Sequence, residues 1–165
     1  MFDLLLDKKR YMFEETEYRG KITVDDFEEY FFSSDSFFKK EDYYRHWLKS
    51  VGLLFKYSKA FFLKNVYDPH NSNFCMSWEC HLLNGVVYVQ DTILFSEDCH
   101  LIDDDDGDVI KYCLRDVIYS SVEIGDIIFA DDEGNKVLTW QTDVKSINDF
   151  KKRLEKGLQE NHHRT

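Results

Sequence analysis

The chain has 165 residues, 43% hydrophobic and 16% aromatic. That is enough apolar material for one folded core, and it excludes a disordered chain. Its net charge of −11 is the opposite of the basic footprint that phosphate binding requires, so direct nucleic-acid recognition is not expected.

One proline and seven glycines leave little material for a linker, so residues 1–165 read as a single domain. No apolar run approaches the roughly 20 residues of a membrane helix. The opening MFDLLLDKKR lacks the long apolar core of a secretory signal. The expectation is a cytoplasmic protein whose four cysteines (Cys75, Cys80, Cys99 and Cys113) stay reduced as semi-buried hydrophobes.

In chain order, Met1–Tyr18 alternates apolar and polar residues, which suggests short strands around a turn at Asp7–Arg10. A turn at Gly20–Ile22 leads to a short helix over Val24–Phe31, with Thr23 as cap and Asp26 three residues later. The clearest helix spans Lys40–Phe55. Tyr43, Tyr44, Trp47, Leu48, Val51, Leu54 and Phe55 recur at i, i+3, i+4 and i+7, and Asp35 or Ser36 stands ready to start it.

The period then changes to two. Ala60–Tyr67 reads as a strand stopped by Asp68-Pro69. Asn73–Leu83 and Val86–Phe95 read as a hairpin through Asn84-Gly85, a pair that tolerates positive φ at both positions. Both faces of Val86–Phe95 carry apolar residues, which places that strand inside a sheet. An acidic loop follows at Ser96–Asp108, then an extended stretch at Tyr112–Tyr119. A second hairpin joins Asp126–Ala130 to Lys136–Gln141 through Asp131–Asn135. A last helix starts near Ser146, with Asp149 at the capping-box position and Ile147, Phe150 and Leu154 as its stripe; residues 160–165 fray. The expected fold is α+β: one domain, mainly antiparallel sheet, with helices on one face and a C-terminal helix.

Charge is unevenly spread. No Lys or Arg occurs between Lys64 and Lys111, an interval that carries Asp68, Glu79, Asp91, Glu97, Asp98, Asp103, Asp104, Asp105, Asp106 and Asp108. A one-sided negative field of this kind steers a cationic partner.

The sequence offers no chemistry of its own. No nucleophile-elbow, catalytic-cysteine, phosphate-loop or dinucleotide motif appears. In LIDDDDGD, setting Gly107 at the sixth position of a calcium loop puts Ile102 first and Cys113 twelfth, where carboxylates are needed. His70, Cys75, Cys80 and His81 have the wrong spacing for zinc, and strand neighbours 80 and 81 point to opposite faces. The aromatics Phe31, Phe32, Phe37, Phe38, Tyr43 and Tyr44 read as core, because a base-stacking platform needs cations beside it. No metal and no cofactor are expected. An enzyme using Cys or His chemistry is the least favoured alternative, and a general acidic adaptor or regulator the stronger one.

The order of elements does resemble a known family. GKITVDDFEEYFFSSDSFFKKEDYYRHWLKSVGLL, then LKNVYDP, then NFCMSWECHLLNGVVYVQDTILF resembles the immunity proteins of bacterial contact-dependent growth inhibition systems. The matching features are the aromatic-plus-acid turn at Asp26–Glu29, the frame of Asp42, Tyr43 and Trp47, the Asp68-Pro69 turn, the tryptophan strand with its hairpin, and the late acid-glycine turn before Trp140. The likeness covers about residues 20–155. It departs at Phe38, where a tryptophan is expected, and at the Asp103–Asp106 run, which has no counterpart in the family pattern.

The resemblance implies a non-enzymatic binder of a cognate toxin's C-terminal domain, in many cases a basic nuclease, which it neutralises by covering the active site or substrate cleft. Carboxylates would lie where phosphates otherwise bind. The surface expected to do this comprises Glu97, Asp98, Asp103, Asp104, Asp105, Asp106 and Asp108, with Asp131, Asp132 and Glu133.

Overall fold

The computed structural model describes residues 1–12, 15–67, 72–95 and 127–162. Three antiparallel strands, β1 (Phe2–Met12), β2 (Glu15–Val24) and β3 (Phe27–Ser34), form one sheet. Helix α1 (Lys40–Tyr57) follows. A second antiparallel sheet holds β4 (Lys59–Val66), β5 (Phe74–Leu83), β6 (Val86–Phe95) and β7 (Thr139–Asp143), in that order. Helix α2 (Val144–His162) closes the described chain. The expected α+β class is the observed one, with the antiparallel strands divided between two sheets.

The sheets meet face to face through aromatic rings. Phe27 at the start of β3 stacks on Trp140 of β7 at 4.0 Å, and Phe31 meets the edge of Trp78 on β5 at 4.6 Å. At the end of β3, the Ser34 amide donates to Asn65 Oδ1 of β4. One strand of the first sheet therefore runs across the second from β7 to β4, so the two sets of strands cross. On β1, Phe2 packs against Phe62 of β4 and Phe150 of α2. Helix α2 thus seals the same core, with Ile147, Phe150 and Leu154 buried as their spacing predicts.

Several sequence expectations are corrected. Val24–Phe31 is not a helix: Asp25 and Asp26 make a two-residue hairpin turn between β2 and β3, with Asp25 at φ 51°. Phe27, Glu29 and Phe31 turn inward while Glu28, Tyr30 and Phe32 turn out. The aromatic residues favour strand, and the acids read as a helix's first turn are the turn itself. Gly20–Ile22 is no turn but the middle of β2. Gly20 is required there because the Phe31 ring lies over it, and a Cβ would meet that ring at 2.3 Å. The turn expected at Asp7–Arg10 is a register irregularity between Leu6 and Lys9 inside one long strand.

Neither Asp35 nor Ser36 caps α1. Asp42 does, accepting the Lys39 amide at 2.9 Å, while Asp35 pairs with Lys9. Helix α2 is capped by Asp143, which accepts the Ser146 amide at 2.7 Å; Asp149 pairs instead with Lys145 and Lys152. The Asn84-Gly85 hairpin forms as read, with φ 52° and 79°, and β6 lies between β5 and β7. The Asp68-Pro69 turn and the stretch Tyr112–Tyr119 lie outside the described residues.

Candidate partner-binding surface

Two polar regions stand beside the second sheet, and they use their polar groups in opposite ways. The first is the seam between α1 and β4. As the outer strand of its sheet, β4 carries backbone groups with no strand partner on one side. Side chains of α1 take them up. Trp47 Nε1 donates to Leu63 O at 2.7 Å, Ser50 Oγ donates to Phe61 O at 2.7 Å, and the Leu63 amide donates to His46 Nε2 at 3.1 Å. Tyr43 donates to Ser34 O and accepts from the Val66 amide, which ties β3, α1 and β4 together. Burial pushes the Tyr43 hydroxyl well up and drives His46 down to about 3, so both are neutral. The Trp47, Ser50 and Tyr43 donors are all used internally, while His46 Nδ1 is buried without a hydrogen-bond partner.

The buried charges of the sheet are likewise spent. Lys64, the extra residue of a bulge in β4, holds Asp91 through both carboxylate oxygens and lies 5.1 Å from the Trp78 ring. Glu79 is pushed up by burial, but the hydrogen bonds from His81 and Lys59 outweigh this and keep it below the usual carboxylate range. His81 is thereby committed to Glu79, and Ser77 Oγ donates to Trp78 O. Cys80 is buried, and burial raises its thiol pKa, so it is no ready nucleophile. These groups do not assemble a nucleophile with its base.

The second region is the excursion of residues 127–138. Its tip is a type I turn closed by the Gly134 amide on Asp131 O, with Gly134 itself at φ 83°. Asp131 organises the tip. Its Oδ1 accepts the Glu133 and Asn135 amides, its Oδ2 accepts Asn135 Nδ2, and these bonds hold its carboxyl below the usual range. Asp132 and Glu133 project into solvent and form no ion pair among the described residues. An Ala130–Lys136 bridge and a bond from the Val137 amide to Phe129 O join the arms. Gln90, buried on β6, clamps the base: its Nε2 donates to Ile128 O and to Thr139 Oγ1, each at 2.8 Å. Phe129 meets Tyr88 edge-on.

Of the residues expected at the binding surface, Asp131, Asp132 and Glu133 are thus brought together at one tip. Asp131 serves the turn, and the other two are presented. Glu97, Asp98, Asp103, Asp104, Asp105, Asp106 and Asp108 lie outside the described residues, as do Cys99, Cys113 and His70. The hairpin expected here is shorter than its sequence pattern, because from Thr139 onward the chain leaves its own return arm and pairs with β6. What the sequence reading missed is the apolar exposure beside the acids: Ile128, Phe129 and Leu138 are 63%, 51% and 70% exposed. The signal was present, since a strand arm whose apolar residues do not alternate with a buried face has nowhere to hide them.

Two crossed antiparallel sheets, a helix along one sheet's edge and a displayed acidic tip define a small α+β domain. A family model described as the CdiI N-terminal domain matches residues 33–150, and the chain belongs to this family. Immunity protein CdiI of Enterobacter cloacae subsp. cloacae is 28% identical over 132 residues, spanning 79% of this chain and 82% of the relative. A solved CdiA-CT/CdiI toxin and immunity complex from Enterobacter cloacae contains a chain that superposes with a TM-score of 0.76 at 26% identity. The match covers 94% of this chain and 99% of that one. No helix among the described residues is long and apolar enough to cross a membrane.

Proposed function

We propose that this chain is an immunity protein of the cytoplasm that binds the C-terminal domain of a cognate contact-dependent growth inhibition toxin and neutralises it without catalysis. One observation carries the reading: the chain matches, almost end to end, a chain of a toxin and immunity complex. The toxin is proposed to be a nuclease whose cationic cleft the acidic protein covers. The net charge of −11 and the absence of cations from 65 to 110 support this. Glu97, Asp98, Asp103, Asp104, Asp105, Asp106 and Asp108 enter the proposed interface on sequence grounds, and Asp132 and Glu133 on their presentation at the tip.

The test is co-expression with the C-terminal domain of the toxin whose gene this reading expects immediately upstream. A stable one-to-one complex and restored growth are expected. Free toxin and persistent growth arrest would overturn the reading. In the same assay, replacing Asp103–Asp106 by Asn should slow association at low salt and flatten its salt dependence. An unchanged rate would remove that run from the interface.

A further inference from the structure

Charge brings partners together quickly but seldom holds them, and most binding energy rests on a few well-packed apolar or aromatic anchors. The described surface offers such anchors beside the acidic tip. Residues 130 and 136 are bridged and the Val137 amide bonds Phe129 O. Continuing that antiparallel register sets Ile128 opposite Leu138, so their side chains share one face of the excursion. Phe129, on the other face, turns to Tyr88. Ile128 and Leu138 are among the most exposed large hydrophobic residues of the described chain. The excursion is nevertheless held at its base, because Gln90 Nε2 donates from inside the sheet to Ile128 O and to Thr139 Oγ1, the residue after Leu138, each at 2.8 Å. An apolar pair that is exposed but held in place binds without a large ordering cost.

Resting on the toxin-binding reading above, we propose that Ile128 and Leu138 form the apolar anchor of the interface with the cognate toxin domain. They would seat in a recess whose rim is basic and meets Asp132 and Glu133. Charge selects this occupant over a second copy of the chain. Two copies joined through this face would bring both acidic tips together, whereas a cationic rim pairs with them. The arrangement is that of a standard interface, with an apolar centre and a charged border.

The experiment follows dissociation of the full-length chain from the purified toxin domain. The double variant I128S/L138S is expected to dissociate at least about tenfold faster, with association within about twofold of the parent and an unchanged thermal midpoint. Leu138→Lys alone, at the more exposed position, gives the same readout should the double variant fold poorly. Unchanged dissociation from a complex that forms normally would overturn the anchor and leave the toxin reading standing. If the parent chain does not bind the toxin domain at all, both fall. A concentration-dependent dimer of the free chain, abolished by the same variants, would assign the face to self-association and also overturn the proposal.

Discussion

The seam between α1 and β4 and the excursion at 127–138 both decorate the second sheet with hydrogen-bonding side chains, yet one is closed and the other open. In the seam, His46, Trp47, Ser50 and Tyr43 face inward and saturate backbone groups of an outer strand. In the excursion, Gln90 and Asp131, with Asn135 bonded to Asp131, bond inward, and they do so to hold up a tip whose remaining acids and apolar residues face water. The contrast separates residues that make the fold from residues the fold displays. Substitutions in the two regions should accordingly affect different measurements.

The largest effect is expected at Trp47. It is fully buried, packs beside Tyr43 and Tyr44, and donates to Leu63 O. Trp47→Ala should cost about 3–5 kcal/mol of folding free energy, the range for large aromatic truncations in cores. Urea unfolding reads it directly. A loss below about 1 kcal/mol would mean that the seam is not a structural centre.

His46 gives the seam a pH signature. Burial lowers its folded pKa to about 3, outweighing the raising effect of Phe61 O. The unfolded chain takes up the proton near 6.5, so below that pH the unfolded state binds more protons than the folded one. Stability should therefore fall as pH drops through the window from 6.5 towards 3, by about 1.4 kcal/mol per pH unit once well inside it. Glu79, held below its ordinary pKa of 4.5, adds to this loss only at the acid end. His46→Gln preserves an acceptor for the Leu63 amide and removes the titration. Its urea midpoint should change less between pH 6 and 5 than that of the parent, and equal slopes would refute the assignment.

A smaller effect is expected at Gln90, which belongs to the closed interior but serves the open region. Gln90→Leu removes both donations to the base of the excursion. Paired hydrogen bonds of this kind contribute about 1–3 kcal/mol together. The Val137 amide, bonded to Phe129 O, should lose protection from hydrogen exchange while amides in the α1 seam keep theirs. Equal loss in both places would show that the excursion has no independent stability.

The two regions also differ in how far the sequence revealed them. The stripe of α1 was legible because helix periodicity names its buried face, and Tyr43, Trp47, Val51 and Leu54 are all buried. His46 and Ser50 were not legible, because their role depends on β4 passing alongside, a contact that no local pattern encodes. Strand β3 was misread because Asp25 and Asp26 suit a helix N-terminus as well as a hairpin turn, and the Phe31 ring that explains Gly20 becomes visible only once β2 and β3 are in register. The turn at Asp131–Asn135 was legible from its acid-glycine chemistry. Its division of labour was not, since three adjacent acids look alike until one of them is seen to accept the turn's own amides.

That division supplies the finest test of the comparison. Asp131 is to the tip what His46 is to the seam, a polar side chain turned inward, whereas Asp132 and Glu133 are its exposed charge. Asp131→Asn weakens an acceptor that serves two amides and a side-chain amide, so exchange at the Asn135 amide should accelerate. D132N/E133Q removes two charges and no described hydrogen bond. The Asn135 amide should then keep its protection, while association with the toxin domain slows by about two- to fivefold at low salt and converges on the parent rate at high salt, as screened steering requires. If D132N/E133Q disturbs the amide, or Asp131→Asn leaves it untouched, the tip is not organised as its hydrogen bonds indicate. If the association rate stays the same at every salt concentration, the steering charge lies elsewhere on the molecule.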